Sequence, residues 1–100
     1  MKTLSMEEKL RALGKKIDEL SAKAAVRGGE VRAEFAMEKA ALDRKMSAAR
    51  FRLAEMKAAG GQALDDVKAG LSAAYEELER AYRRAAAHFS REVAHADRDF

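Results

Sequence analysis

Apolar residues in this chain return at alternating steps of four and three, a rhythm suited to an α-helix packed along one side. Met6, Leu10, Leu13, Ile17, Leu20 and Ala24 keep it through the N-terminal quarter. The stripe then runs through position 28 to Val31 and Phe35. Ala24, Phe35 and Met46 stand 11 residues apart, and Met46, Ala49, Leu53 and Met56 resume the seven-residue repeat. An 11-residue step relaxes a supercoil without losing the stripe. Past residue 60, Leu64, Val67, Leu71, Ala74 with Tyr75, Leu78, Tyr82, Ala85 and Phe89 repeat the pattern. Composition agrees, because 23 Ala, 9 Leu, no Pro and only six β-branched residues suit helices and starve strands. The expected fold class is all-α.

Without proline, glycine supplies the strong punctuation. Ser5 followed by Glu8 reads as a capping box, so a helix is expected to begin near residue 5. Gly60-Gly61 follows Lys57-Ala58-Ala59 and precedes Asp65-Asp66, which combines a stop signal with a start signal. Gly28-Gly29 has no Pro, Asn or Asp beside it and the stripe keeps its phase across it. The spacing therefore predicts a helix that passes through this pair, at a cost of roughly 1 kcal/mol per glycine relative to alanine. The expectation is a single domain of two helices, about 5–59 and 62–95, turning at 60–61.

Charge supports the reversal. Residues 44–57 carry Arg44, Lys45, Arg50, Arg52 and Lys57 against Glu55, whereas residues 62–79 carry Asp65, Asp66, Glu76, Glu77 and Glu79 against Lys68. Folding back at 60–61 sets Arg44 and Lys45 beside Glu77 and Glu76, Glu38 beside Arg83, and Glu30 beside Arg91. Exposed pairs of this kind fix orientation more than they add stability. An antiparallel coiled-coil hairpin results, and it leaves the first 20 residues of the long helix overhanging. Their apolar stripe needs a cover. Self-association is the leading solution, and a closed three-helix bundle with turns at both Gly28-Gly29 and Gly60-Gly61 is the alternative.

The chemistry-bearing residues are sparse. His88, Glu92 and His95 share one helical face and could make a weak divalent-metal pattern, but they are read as ordinary residues of a solvated helix turn and no metal site is assigned. Glu30, Glu34 and Glu38 make an acidic column at four-residue steps, read as a solvated stripe because it lacks the Glu-x-x-His arrangement of a di-metal bundle. Ser5, Ser21, Ser47, Ser72 and Ser90 have no neighbouring base, and no phosphate loop occurs. Catalysis is not expected, and no cofactor is assigned. Cysteine is absent, which removes disulfides and thiolate chemistry and fits a reducing compartment.

Charged residues interrupt each apolar run before membrane-spanning length, and acidic Glu7-Glu8 replaces a secretory apolar stretch, so a cytoplasmic location is expected. A formal net charge of +3 is mild, and Glu76, Glu77 and Glu79 lie among Arg80, Arg83 and Arg84, which argues against nucleic acid. An anionic membrane surface is a secondary reading, weakened by an Ala-rich apolar face without Trp.

The stretch from Gly60-Gly61-Gln62-Ala63-Leu64-Asp65-Asp66-Val67-Lys68-Ala69-Gly70-Leu71 through Ala74-Tyr75-Glu76-Glu77-Leu78, Ala81-Tyr82 and Phe89 resembles a family of small bacterial coiled-coil proteins. That family is best known from cyanobacteria and described as stress-response proteins. Lys16-Ile17-Asp18-Glu19-Leu20 and Leu53-Ala54-Glu55-Met56-Lys57 extend the likeness, which covers roughly residues 9–89. Leu64 stands where the family pattern has an aromatic residue. The resemblance implies a long helical hairpin that oligomerises, a role in coping with environmental stress and no known catalytic residues.

The expected function is that of a non-enzymatic, homo-oligomeric coiled-coil scaffold or adaptor. Its expected interface is Leu10, Leu13, Ile17, Leu20, Val31, Phe35, Leu42, Leu53, Leu64, Leu71, Leu78 and Tyr82. On that reading, Ile17→Asp weakens assembly and leaves the hairpin helical.

Overall fold

A computed structural model describes the backbone of residues 5–59 and 64–98 and the side chains of residues 5–59 and 65–94. Among the described residues all regular structure is helical: α1 (Met6–Ala25), α2 (Gly29–Ala58) and α3 (Leu64–Arg98). The Ser5 hydroxyl accepts from the Glu8 N–H at 3.2 Å, which caps α1 as the sequence signals. The turn expected at Gly60-Gly61 lies outside the described residues.

The helix does not pass through Gly28-Gly29. α1 ends at Ala25, its last turn closing with N–H groups of Val26 and Arg27 on the Ala24 carbonyl. Gly28 is extended, and Gly29 takes φ +65°, a left-handed backbone that glycine adopts without penalty. The unbroken phase of the stripe misleads here for a physical reason. Periodicity records which residues face a core, and Ala24 and Val31 face the same core from either side of a reversal. Three helices therefore replace the predicted two, in keeping with the three-helix alternative.

Cross-helix contacts give the directions. Glu7 at the start of α1 accepts from the Lys57 ammonium at the end of α2 at 2.7 Å. Lys45 on α2 pairs with Glu77 on α3, and the Phe35 and Phe89 rings meet edge to face with centroids 6.2 Å apart. Both α1 and α3 thus run antiparallel to α2. The α2–α3 register lies within one residue of the one the charges predict at Lys45–Glu77. The predicted Glu38–Arg83 pairing is not formed, because Arg83 lies 3.5 Å from Glu79 on its own helix while Glu38 bonds His88.

One core joins the three helices. Leu10, Leu13, Ile17, Leu20 and Ala24 of α1 pack with Phe35, Leu42, Met46 and Ala49 of α2 and Leu71, Leu78 and Ala85 of α3. Leu42, Leu71 and Leu78 are sealed almost completely. The N-terminal stripe predicted to overhang is therefore covered by this chain's own α2 and α3. No helix among the described residues is long and apolar enough to cross a membrane.

Candidate functional site

Most of the expected interface is inside the chain. Leu10, Leu13, Ile17, Leu20, Val31, Phe35, Leu42, Leu71 and Leu78 are buried, and Leu53 and Tyr82 are partly buried against the same core. The Leu64 side chain lies outside the described residues. These groups hold the helices of one chain together, which directs the search for a site to what they leave exposed.

Two features remain. The first is the outward side of α2. Ala33, Met37, Ala40, Arg44, Ser47, Phe51, Ala54 and Ala58 follow the same four-three spacing as the buried seam, displaced round the helix, and every one is exposed. Met37 is 77% exposed and Phe51 57%, and they stand on this stripe as its two large apolar side chains. Sequence reading missed this second stripe because six of its eight positions are Ala, Ser or Arg, which carry little apolar signal. Its detectable trace is the two large residues 14 positions apart, two full heptads.

The second feature is a cluster where α2 crosses α3. His88 Nδ1 makes a short hydrogen bond to Glu38 Oε1. Its Nε2 lies 3.5 Å from Glu34 Oε2 and 3.3 Å from Glu92 Oε1. Val31, Phe35 and Phe89 help wall a cavity of about 10 Å³ beneath these groups. Glu34 Oε2 is buried and has no hydrogen-bond partner. The hydrogen bond to Glu38, aided by the charges of Glu38, Glu92 and Glu34, raises the His88 pKa above its usual value against the opposing effect of burial. Glu34, His88 and Glu92 each offer a donor atom, all within 4.8 Å of one another, and so make a set able to hold a metal ion.

The sequence held both halves of this cluster, as the acidic column 30–34–38 and the His88–Glu92 pair. The charge-derived register already set position 34 opposite position 87, so the column had its histidine helix after all. Glu30 is not part of the cluster, and the His95 side chain lies outside the described residues. Beside the cluster, Glu38, Lys45, Arg84, His88 and Arg91 rim a groove of about 470 Å³ with Ala41, Leu42, Ala81 and Ala85 along its floor. Comparison of the chain with protein-family models, curated proteins and solved structures finds no match.

Proposed function

We propose that this protein is a non-catalytic helical scaffold that self-associates through the outward face of α2. The observation that carries this reading is the second heptad stripe from Ala33 to Ala58, exposed along its whole length beside a core that is already complete. A second copy of the same face is the occupant that fits best. In an antiparallel pairing about a two-fold axis between Arg44 and Ser47, Met37 meets Ala54 of the other copy and Phe51 meets Ala40. Each large side chain then faces a small one, as a knob faces a hole. Arg44 meets Ser47, and Asp43 and Arg50 on one flank come into range of each other across the axis. A parallel pairing would oppose Arg44 to Arg44 and Phe51 to Phe51, mismatching both charge and volume.

The likeness to small bacterial coiled-coil stress-response proteins supports an oligomeric helical role and suggests environmental stress as its setting. The expected interface moves from the seam of Leu10, Ile17 and their neighbours to α2's far side. Light scattering on a sizing column at two concentrations tests this. The expected mass is twice the 11.0 kDa of the chain. Phe51→Glu and Met37→Glu should return it to one chain with helicity unchanged. A wild-type monomer at both concentrations overturns the reading, and flotation of that monomer with anionic liposomes would assign the stripe to lipid instead.

A further inference from the structure

We propose that Glu34, His88 and Glu92 form a binding site for a borderline divalent transition ion, with Zn²⁺ as its representative, and that Glu38 orients the histidine for it. The argument rests on four features of the α2–α3 crossing. A neutral imidazole that donates from Nδ1 to Glu38 presents a bare lone pair at Nε2, and that lone pair faces the oxygens of Glu34 and Glu92 at 3.5 and 3.3 Å. Those three acceptors repel one another unless a cation lies between them, either a proton on Nε2 or a metal ion that takes its place. Zinc bonds of about 2.0–2.1 Å in a tetrahedral site set neighbouring ligand atoms about 3.3 Å apart, so these two separations already suit the ion.

The second feature is the Nδ1–Glu38 bond. Metal-ligating histidines characteristically donate their other ring N–H to a carboxylate or carbonyl, which fixes the tautomer and strengthens the ligand. The third is the buried Glu34 Oε2, which has no hydrogen-bond partner. The carboxylate as a whole is half-exposed, with His88 Nε2 3.5 Å from this oxygen, and coordination would give the oxygen a direct partner. The fourth is the cavity of about 10 Å³ walled by Val31, Phe35 and Phe89 with the four polar residues, the size for one small ion or one water. One nitrogen and two carboxylate oxygens favour Zn²⁺, Co²⁺ or Mn²⁺ over soft ions that want sulfur. Three protein ligands leave a position for water.

The test is titration of the untagged full-length chain with ZnCl₂ at pH 7.5, followed by calorimetry, and with CoCl₂, followed by visible absorption. Expected results are one saturable ion per chain and the intense visible bands of low-coordinate Co²⁺. His88→Gln should abolish binding. Glu34→Gln and Glu92→Gln should each weaken it at least tenfold, and Glu38→Gln by about 10- to 100-fold while keeping the stoichiometry. Glu30→Gln, one turn along the same column but outside the cluster, should change nothing. Circular dichroism checks that each variant stays helical, and a rise in the wild-type melting temperature with Zn²⁺ shows binding to the native state without any substitution. Absence of saturable binding overturns the proposal and leaves the cluster as an imidazolium held by carboxylates. So does binding that His88→Gln leaves intact. The site lies within one chain, so its result stands apart from whether copies associate.

Discussion

The two faces of α2 obey the same periodicity and meet opposite fates. The inward face carries Val31, Phe35, Leu42, Met46 and Ala49, all buried, whereas the outward face carries Ala33, Met37, Ala40, Phe51 and Ala54, all exposed. What separates them is volume: the inward set is dominated by large groups that fill the space between three helices, and the outward set is mostly alanine with two large side chains standing clear. A heptad stripe therefore specifies a packing surface without specifying whose. The contrast teaches that α1, by folding back at Gly29, takes one side of α2 out of play for association and leaves the other.

The strongest way to break this comparison is to place a charge on each face in turn. Ile17 of α1 lies against the inward side and is buried, so Ile17→Asp should cost about 4 kcal/mol or more and unfold much of the chain. Urea denaturation followed by circular dichroism measures it. The same substitution was expected from the sequence to weaken assembly alone, so a folded Ile17→Asp chain of reduced mass would restore the N-terminal seam as an interface. Phe51→Glu should do the reverse. Burial of a Phe side chain contributes about 1.5–3 kcal/mol, and a two-fold axis counts it twice, so the dimer dissociation constant should rise by at least about 100-fold. The urea transition of the single chain should stay within about 0.5 kcal/mol of wild type.

A smaller effect tests the reversal that separates the faces. Gly29→Ala forces a side chain onto a φ of +65° and should destabilise by about 1–2 kcal/mol. Gly28→Ala meets open space on extended backbone, where a less favourable cap offsets the lower entropy of the unfolded chain, and should lie within about 0.5 kcal/mol of wild type. Thermal melts of the two variants compare them directly. Equal losses would mean that the turn does not depend on the left-handed residue.

Helical class, the Ser5 cap and the α2–α3 register were legible because each rests on local chemistry or on charges repeated at fixed spacing. The break at Gly28-Gly29 was not, since Ala24 and Val31 keep phase whether or not the chain turns between them. For the same reason the buried stripe of α1 read as an overhang. The cluster at the α2–α3 crossing was half legible: Glu34 and Glu38 on one helix and His88 and Glu92 on another each looked like ordinary solvated residues, and only the register joins them. The outward stripe was hidden by alanine, whose single methyl marks neither a core nor a surface.

The smallest expected effect concerns the ion pairs that bracket the inward face. The Lys57 ammonium hydrogen-bonds Glu7 and holds its pKa below the usual value, and Lys45 does the same for Glu77. A carboxyl whose pKa is lower folded than unfolded adds stability that is present above its unfolded value, near 4.5, and lost as pH falls through the folded value. Both carboxylates are exposed, so solvent and salt screen the gain. The urea midpoint should therefore decline slightly as pH drops below about 4.5. Lys45→Met with Lys57→Met should make that decline shallower, and 1 M salt, which cuts the screening length to about 3 Å, should do the same to the wild-type chain. These pairs join α1 to α2 and α2 to α3, so the loss belongs to the folded chain. If copies associate as proposed, through Met37 and Phe51 on the far side of α2, the mass in solution should not change when the two lysines are replaced.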